Sequence, residues 1–368
     1  MDYKKKKLRD IKVLSSACGA NFMPGFFRCL KENKERKITT VGVDIVQEKF
    51  MWAVVDKYYR VPRYTERNYI DEILNVCQKE DIDVFFPQIS MELSLVSENI
   101  RRFEEVGVKV AITSNKTLNI ANNKYSLYEF MDHNGVKSPE HYRVRNGKEL
   151  KIAASKLKYP ERDICVKVTD SSGSRGVRII TAKMNKTDMF LNQKPNSMYI
   201  TLDEMCEILG SCNESAVIMA MAALPGCEYT VDLLADHGRV LYIAGRRNYV
   251  SSMSIAQESV VEEKKESFEL CGELVRLLEL DGNIGFDFML DENDVPVLTD
   301  LNPRITATIV LYAAAGLNFP YLRVKQLLGE TLPRNVKAKE GVSLIRKYND
   351  IMADIDGSPI HIQPFNLM

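Results

Sequence analysis

Histidine is scarce in this 368-residue chain: there are four, and none stands at metal-ligand spacing. The eight cysteines, at 18, 29, 77, 165, 206, 212, 227 and 271, contain no C-x-x-C pair. No zinc centre is expected from that pattern. Several cysteines sit in apolar, strand-like surroundings, as Cys165 does before Val166, and read as reduced core thiols; the expected compartment is the cytoplasm. Excess charge of one sign is missing too, with 50 Lys+Arg against 50 Asp+Glu. Without a global field, neither nucleic acid nor a membrane surface is expected as a partner. No run approaches the roughly 18 apolar residues of a membrane span. The basic start, Met1–Asp10, precedes an apolar stretch (Ile11 to Leu14) too short for an export signal, and reads as a solvated lead into a strand. Internal repeats and low-complexity linkers are absent, so tightly packed domains are expected. Two nucleotide signatures are also missing. There is no G-x-x-x-x-G-K-[ST], and the first βα turn, Ser15–Asn21 with Asp44 ending the next strand, lacks G-x-G-x-x-G. A nicotinamide site is not expected there.

What is present is a globular composition, 45% hydrophobic and 27% charged, in a chain too long for one ordinary core. Residues 11 to about 112 alternate strand and helix signals. Strands are expected at Lys12–Leu14, Ile38–Asp44, Asp83–Pro87 and Val108–Ala111, with helices at Met23–Lys31, Tyr69–Lys79 and Leu93–Glu105. That alternation predicts a parallel sheet in a three-layer α/β domain. Further helices are expected at Asn122–Asn134, carrying Lys124, and at Ile152–Lys158. Residues 181–215 read as polar and irregular, with one helix at Asp203–Leu209. Strands follow at Glu228–Ala235 and Arg239–Ala244 around the turn Asp236-His237-Gly238. Glu266–Leu280 spaces Phe268, Cys271, Val275 and Leu278 as a helical stripe. Trp52 and the Met-rich Ile218–Met221 segment read as core or pocket lining.

Two segments carry chemistry. In the first, the strand Val166-Lys167-Val168 runs into Asp170–Gly176, which holds three serines and two glycines. Such a backbone can approach phosphate oxygens closely, with Lys167 neutralising charge and Arg175 as a mobile cation. A plain hairpin with a serine-rich turn is the alternative. In the second, two strands joined by a turn at 291–294 carry Asp287, Asp300 and Asn302. Asp300 and Asn302 share a face at spacing two, and the oxygens suit a hard cation such as magnesium. Arg304 continues that face and suits a transferring phosphoryl group. Alone, D-x-N-P-R is also compatible with a turn and an exposed arginine. Gly245-Arg246-Arg247-Asn248 reads either as a clamp for a substrate carboxylate or as a solvated basic turn.

In this order the segments resemble the ATP-grasp superfamily of ligases, and most closely its carbamoyl-phosphate-synthase large-subunit-like branch. The resemblance covers nearly the whole chain: a helix with Asn123-Lys124, the K-x-x-x-x-S-G-S-x-G-V loop, a Pro-Gly hinge with Glu228, and D-x-N-P-R. It implies an α/β fold, α+β in the C-terminal part. A pre-ATP-grasp domain would span 1–113, an N-lobe with the phosphate loop 114–185, a C-lobe with the metal site 186–335, and a C-terminal segment 336–368.

The resemblance also implies site roles. Lys124 and Lys167 would contact ATP phosphates, which Ser171, Ser172, Gly173, Ser174 and Gly176 would cover. Backbone groups of Ala222, Ala223 and Leu224 would read adenine, and Glu228 the ribose. Asp287, Asp300 and Asn302 would bind Mg2+, with Mn2+ as an alternative, and Arg304 would meet the γ-phosphate or acyl-phosphate. Arg304, Lys167 and Arg246 are the expected catalytic set. The first βα turn would help to hold the acceptor. Three positions depart from the family: Ala222 replaces the hinge Glu, Asp300 the metal Glu, and Ala307 a further arginine. The expected activity is ligation of a small-molecule carboxylate to an amine through an acyl-phosphate, possible as a homodimer. Alternatives are bicarbonate activation of the carbamoyl-phosphate-synthase type, and a catalytically weakened MgATP-binding module.

Overall fold

In the structure, a computed structural model, residues 8–46, 50–170, 176–192, 198–211, 218–252, 255–347 and 350–360 are described. Their chain path divides into two compact units. One comprises 1–118, 231–285 and 302–368; the other comprises 119–230 and 286–301.

The first unit holds a parallel sheet of β1 (Ile11–Ser15), β2 (Ile38–Asp44), β3 (Lys57–Arg60), β4 (Val84–Phe86) and β5 (Lys109–Val110), in the order β3-β2-β1-β4-β5. Successive side chains of a strand face opposite ways. Val13, Val84 and Phe86 therefore join one core with the helix Met23–Lys31, while Leu14 and Phe85 join another with the helix Tyr69–Glu80. Both faces are covered, as the expected three-layer arrangement requires.

Local readings differ at a few places, each for a physical reason. The expected helix Leu93–Glu105 is two helices, Leu93–Glu98 and Ile100–Glu105. The Asn99 side chain donates to Leu95 O at 2.9 Å, and its own N–H turns to Val96 O at 3.1 Å, which interrupts the i→i−4 ladder. β3, half-exposed and charged at both ends, gave no alternation to read. Trp52 is 47% exposed, not core or pocket lining, with its indole N–H donating to Gly357 O at 2.8 Å. The Ile218–Met221 segment is buried as expected.

The second unit holds β6 (His141–Val144), β7 (Ile164–Val168), β8 (Val177–Ile180), β9 (Tyr199–Ile200) and β10 (Ile218–Ala222), in the order β6-β10-β7-β8-β9. Val144, Ile164, Val166, Ile180 and Ala220 pack with Leu150, Ala153, Met205 and Leu209 into its core. The stretch expected to be irregular with one helix carries two, Lys186–Asn192 and Leu202–Ser211, and strand β9 between them.

A third sheet runs β15-β14-β11-β12-β13-β16, with β11 (Glu228–Asp236), β12 (Arg239–Ser252), β13 (Ile255–Val261), β14 (Gly282–Leu290), β15 (Pro296–Asn302) and β16 (Ser343–Ile345). Gly245–Asn248, expected to follow a strand ending at Ala244, lies inside β12, which extends to Ser252. At Gly226 the chain passes so close to β14 that an added Cβ would meet Leu290 O at 2.5 Å. The Gly226 N–H donates to that same oxygen at 3.0 Å, fixing the turn before β11.

Candidate functional site

The expected site residues fall into two groups, one in each unit. In the second unit, Asn123 caps the helix Lys124–His133 by accepting from the Ser126 N–H at 3.0 Å. The Lys124 N–H donates to Thr169 O at 2.9 Å, tying the start of that helix to the end of the lysine strand β7. Lys124 projects into a nearly closed position, its side chain 9% exposed, and its ammonium lies 3.0 Å from Asp300 Oδ2. A lysine is rarely so buried without a partner, and Asp300, 25% exposed, is that partner. Tyr128, one turn along the helix, donates to Leu298 O of β15 at 2.8 Å. Burial, and then the charge of Asp300, push its phenol well above the usual range.

Asp287 has a different partner. Its Oδ1 accepts from the Thr230 hydroxyl at 3.0 Å, and its carbonyl accepts from the Thr299 hydroxyl at 3.0 Å. The turn closes with the Asp291 N–H on Val295 O at 3.0 Å, and the Thr299 hydroxyl on the Asp287 carbonyl ties the two strands further along. The strands β14 and β15 pair through the 291–294 turn as expected.

Lys167 sits half-buried on β7 between Met219 and Val177, and its ammonium makes no hydrogen bond or ion pair with any described residue. Cys165, two residues back on β7, has its thiol pushed up by burial, with Lys167 pulling the other way. Ser171, Ser172, Gly173 and Ser174 lie outside the described residues. Gly176 closes the segment at φ +67°, its carbonyl accepting from the Val168 N–H at 3.0 Å. Of the hinge amides, that of Ala223 is taken by Asp163 O at 2.9 Å, whereas the Leu224 N–H makes no hydrogen bond to a described residue. Ala222 ends β10 and Glu228 begins β11, both partly exposed.

In the first unit, the Arg304 side chain is held on several sides. Its Nε donates to Ser90 Oγ at 3.0 Å, and its terminal nitrogens donate to Ile305 O at 2.9 Å and Asn302 Oδ1 at 3.2 Å. Arg246 is 4% exposed and paired with Asp232, which is also held by the Thr306 hydroxyl at 2.7 Å. Arg246 also donates to the Tyr312 hydroxyl at 3.0 Å. That setting is a buried ion pair, not the solvated basic turn the sequence left open. Arg247 is paired with Glu262 at 2.7 Å.

Sequence reasoning missed two contributors here. Ser90, in the loop after β4, carried no motif. Arg346, 39 residues on from Ala307, donates to the Ala307 carbonyl at 3.4 Å, so a guanidinium stands beside the position where the family arginine is missing. Asp44, at the end of β2, accepts from the Gly19 N–H at 3.0 Å and the Ile45 N–H at 2.7 Å, a loop-closing role. Seven described cysteines are free thiols. Among the described residues, no helix is long and apolar enough to cross a membrane.

Residues 214–349 match the family described as ATP-grasp in the biosynthetic pathway with Ter operon, and residues 26–111 match the PylC-like N-terminal domain. Over those two stretches the chain is similar to an ATP-grasp domain and to a PylC-like N-terminal domain. Homology to the carbamoyl phosphate synthase large chain is weak. The arginine-specific large chain of Halalkalibacterium halodurans is 22% identical over 280 residues, 73% of this chain and 24% of that one. The chain thus spans about a quarter of the length of the curated relatives it matches. Among solved structures, biotin carboxylase of Campylobacter jejuni superposes with a TM-score of 0.66 at 16% identity, covering 90% of this chain and 74% of that one. N5-carboxyaminoimidazole synthetase of Staphylococcus aureus, complexed with ADP, gives 0.63 at 13%, covering 91% and 81%. These likenesses establish the mixed α/β, ATP-grasp fold.

Proposed function

We propose that this ATP-grasp protein is an ATP-dependent ligase that joins a carboxylate to an amine through an acyl-phosphate. The observation that carries the reading is the Lys124–Asp300 pair at 3.0 Å. A phosphate-type cation and a metal-type carboxylate neutralise each other there, each being the charge the other's ligand would replace. The donor set fits magnesium: Asp287, Asp300 and Asn302 offer only hard oxygens, and Asp300 Oδ2 already faces a positive charge. Bound magnesium would shield the negative charge of the phosphates as the phosphoryl group transfers.

The chain's own residues supply positioning and charge. Lys124 and Lys167 neutralise phosphate oxygens, and the unpaired Leu224 N–H reads the adenine edge. Glu228 takes the ribose. Arg304, oriented by Ser90 and Asn302, stabilises the transferring phosphoryl group. A carboxylate oxygen attacks the γ-phosphorus and the bond to the β,γ-bridging oxygen breaks, releasing ADP. The amine nitrogen then attacks the acyl carbon, inorganic phosphate leaves with the C–O bond electrons, and the nitrogen loses a proton. Arg246, buried against Asp232, acts in this reading as a positioning residue beneath the Thr306 loop.

The test is phosphate release by the full chain with MgATP and individual amino acids or small carboxylates, each with a panel of amines. Stimulated release of ADP and phosphate is expected. Asp300→Ala should lower it by about a hundredfold or more with an unchanged far-UV spectrum. Near wild-type turnover in that variant, or release driven only by bicarbonate with ammonia, would overturn the reading.

A further inference from the structure

In the parallel sheet of the first unit the chain runs β1 to β2 to β3 on one side, then returns to β4 and β5 on the other. The carboxyl ends of β1 and β4 therefore flank a topological switch point, where the diverging loops open a crevice that ligands use in open α/β sheets. Two loops line it, the one beginning at Ser16 after β1 and the one from Pro87 to Met91 after β4.

The second loop is pinned from beneath. Glu92, fully buried, accepts from the Gln88 N–H at 2.9 Å, the Ile89 N–H at 3.0 Å, and the hydroxyls of Ser16 and Tyr69. Ser16 Oγ accepts in turn from the Gln88 N–H at 2.8 Å. With its backbone so held, the Gln88 side chain is nevertheless unsatisfied. The residue is 5% exposed and its Oε1 is buried without a hydrogen-bond partner, while its Nε2, without a described partner, is not closed in. A carboxamide oxygen closed in without a donor is costly unless something else completes it. Two residues along the same loop, Ser90 holds the Arg304 guanidinium at 3.0 Å. On the other side of β1, the half-buried carboxylate of Asp44 ends β2.

We infer that Gln88 is a substrate-binding residue that reads the ammonium and carboxylate of an α-amino acid at this crevice, an assignment that rests on the ligase reading above. A carboxamide offers an acceptor and a donor side by side, and the amino-acid zwitterion presents the matching donor and acceptor on adjacent atoms. Rotation of the amide by 180° exchanges the two ends, so either order of approach can be met. Arg304, held through Ser90, and Asp44, at the end of β2, add charges of opposite sign around the crevice.

The experiment uses the full chain with MgATP. The twenty protein amino acids, and for each the amine lacking the carboxylate and the acid lacking the amine, are assayed by phosphate release and by titration calorimetry with MgADP. At least one amino acid should bind while both of its truncated analogues fail. Gln88→Met, which keeps side-chain length and the backbone bonds, should raise the KM or Kd for that amino acid about tenfold or more. The KM for ATP should stay within about twofold, as fits a contact made only to the amino acid. Binding that follows this pattern without ATP turnover would sink the ligase reading and leave the role of Gln88 standing. Turnover on a substrate that is not an amino acid, absence of binding by all twenty, or a folded Gln88→Met with unchanged amino-acid KM would overturn the inference.

Discussion

Replacing Asp300 by Asn separates the two tasks assigned to that carboxylate. Two unit charges 3.0 Å apart attract by roughly 5 kcal/mol at an effective dielectric of about 20. Desolvation of Lys124, 9% exposed, cancels much of that, and the 25% exposure of Asp300 screens it further. The net cost of leaving Lys124 without its counter-charge is about 2 kcal/mol, read as a lower urea midpoint at unchanged m-value. Lys124→Met combined with Asp300→Asn removes both charges and should recover at least about half of that loss. MgATP supplies the second readout. At a hundred times Kd it stabilises the wild type by about 2.7 kcal/mol, and a hundredfold loss of affinity leaves about 0.4 kcal/mol at the same concentration. Urea melts of wild type, both single variants and the double variant, with and without MgATP, therefore report both tasks together. Equal midpoints for wild type and Asp300→Asn, or an undiminished MgATP shift in that variant, would refute the argument.

Three further outcomes follow from neighbouring contacts. Lys167→Met should leave stability within about 0.5 kcal/mol, because the Lys167 ammonium has no partner among the described residues, while raising the KM for ATP about tenfold in the phosphate-release assay. Arg246→Met leaves Asp232, 2% exposed, without its counter-charge, and should cost about 3 kcal/mol in urea unfolding; an unchanged midpoint would return Arg246 to the role of a substrate clamp. The Lys186 ammonium, followed by the backbone and hydroxyl of Thr201, lowers Glu204 to about 2 from an ordinary 4.5. A lowered carboxyl contributes stability that is present above its unfolded value and lost as pH falls toward the folded one. Glu204→Gln should thus be less stable than wild type at pH 6, with the difference vanishing by about pH 2 in parallel urea melts.

Much of the scaffold was legible because its signals are local. The short apolar runs of β1 and β4, and the apolar spacing of the helix Tyr69–Glu80, follow from burying both faces of a parallel sheet, and the structure keeps them to within a residue or two. The break at Asn99 was not legible, since it depends on a side chain competing for one carbonyl inside a segment of helical composition. The exposure of Trp52 was misread because residue type outweighed context. At the site, the motif residues announced themselves by spacing, but their partners did not. Ser90 sits 214 positions before Arg304 in the chain, and Arg346 lies well beyond the last motif. No periodicity connects such residues; only the folded sheet brings them together.

The Glu92 hub has a consequence for redesign. Four donors converge on one buried carboxylate beneath the loop after β4, so the support of that loop and the face it shows to a ligand are chemically separate. Libraries that randomise Gln88 through Met91 while keeping Ser16, Tyr69 and Glu92 would vary what the crevice accepts on an unchanged foundation. Those that touch the hub would scatter the loop before any new preference could be selected.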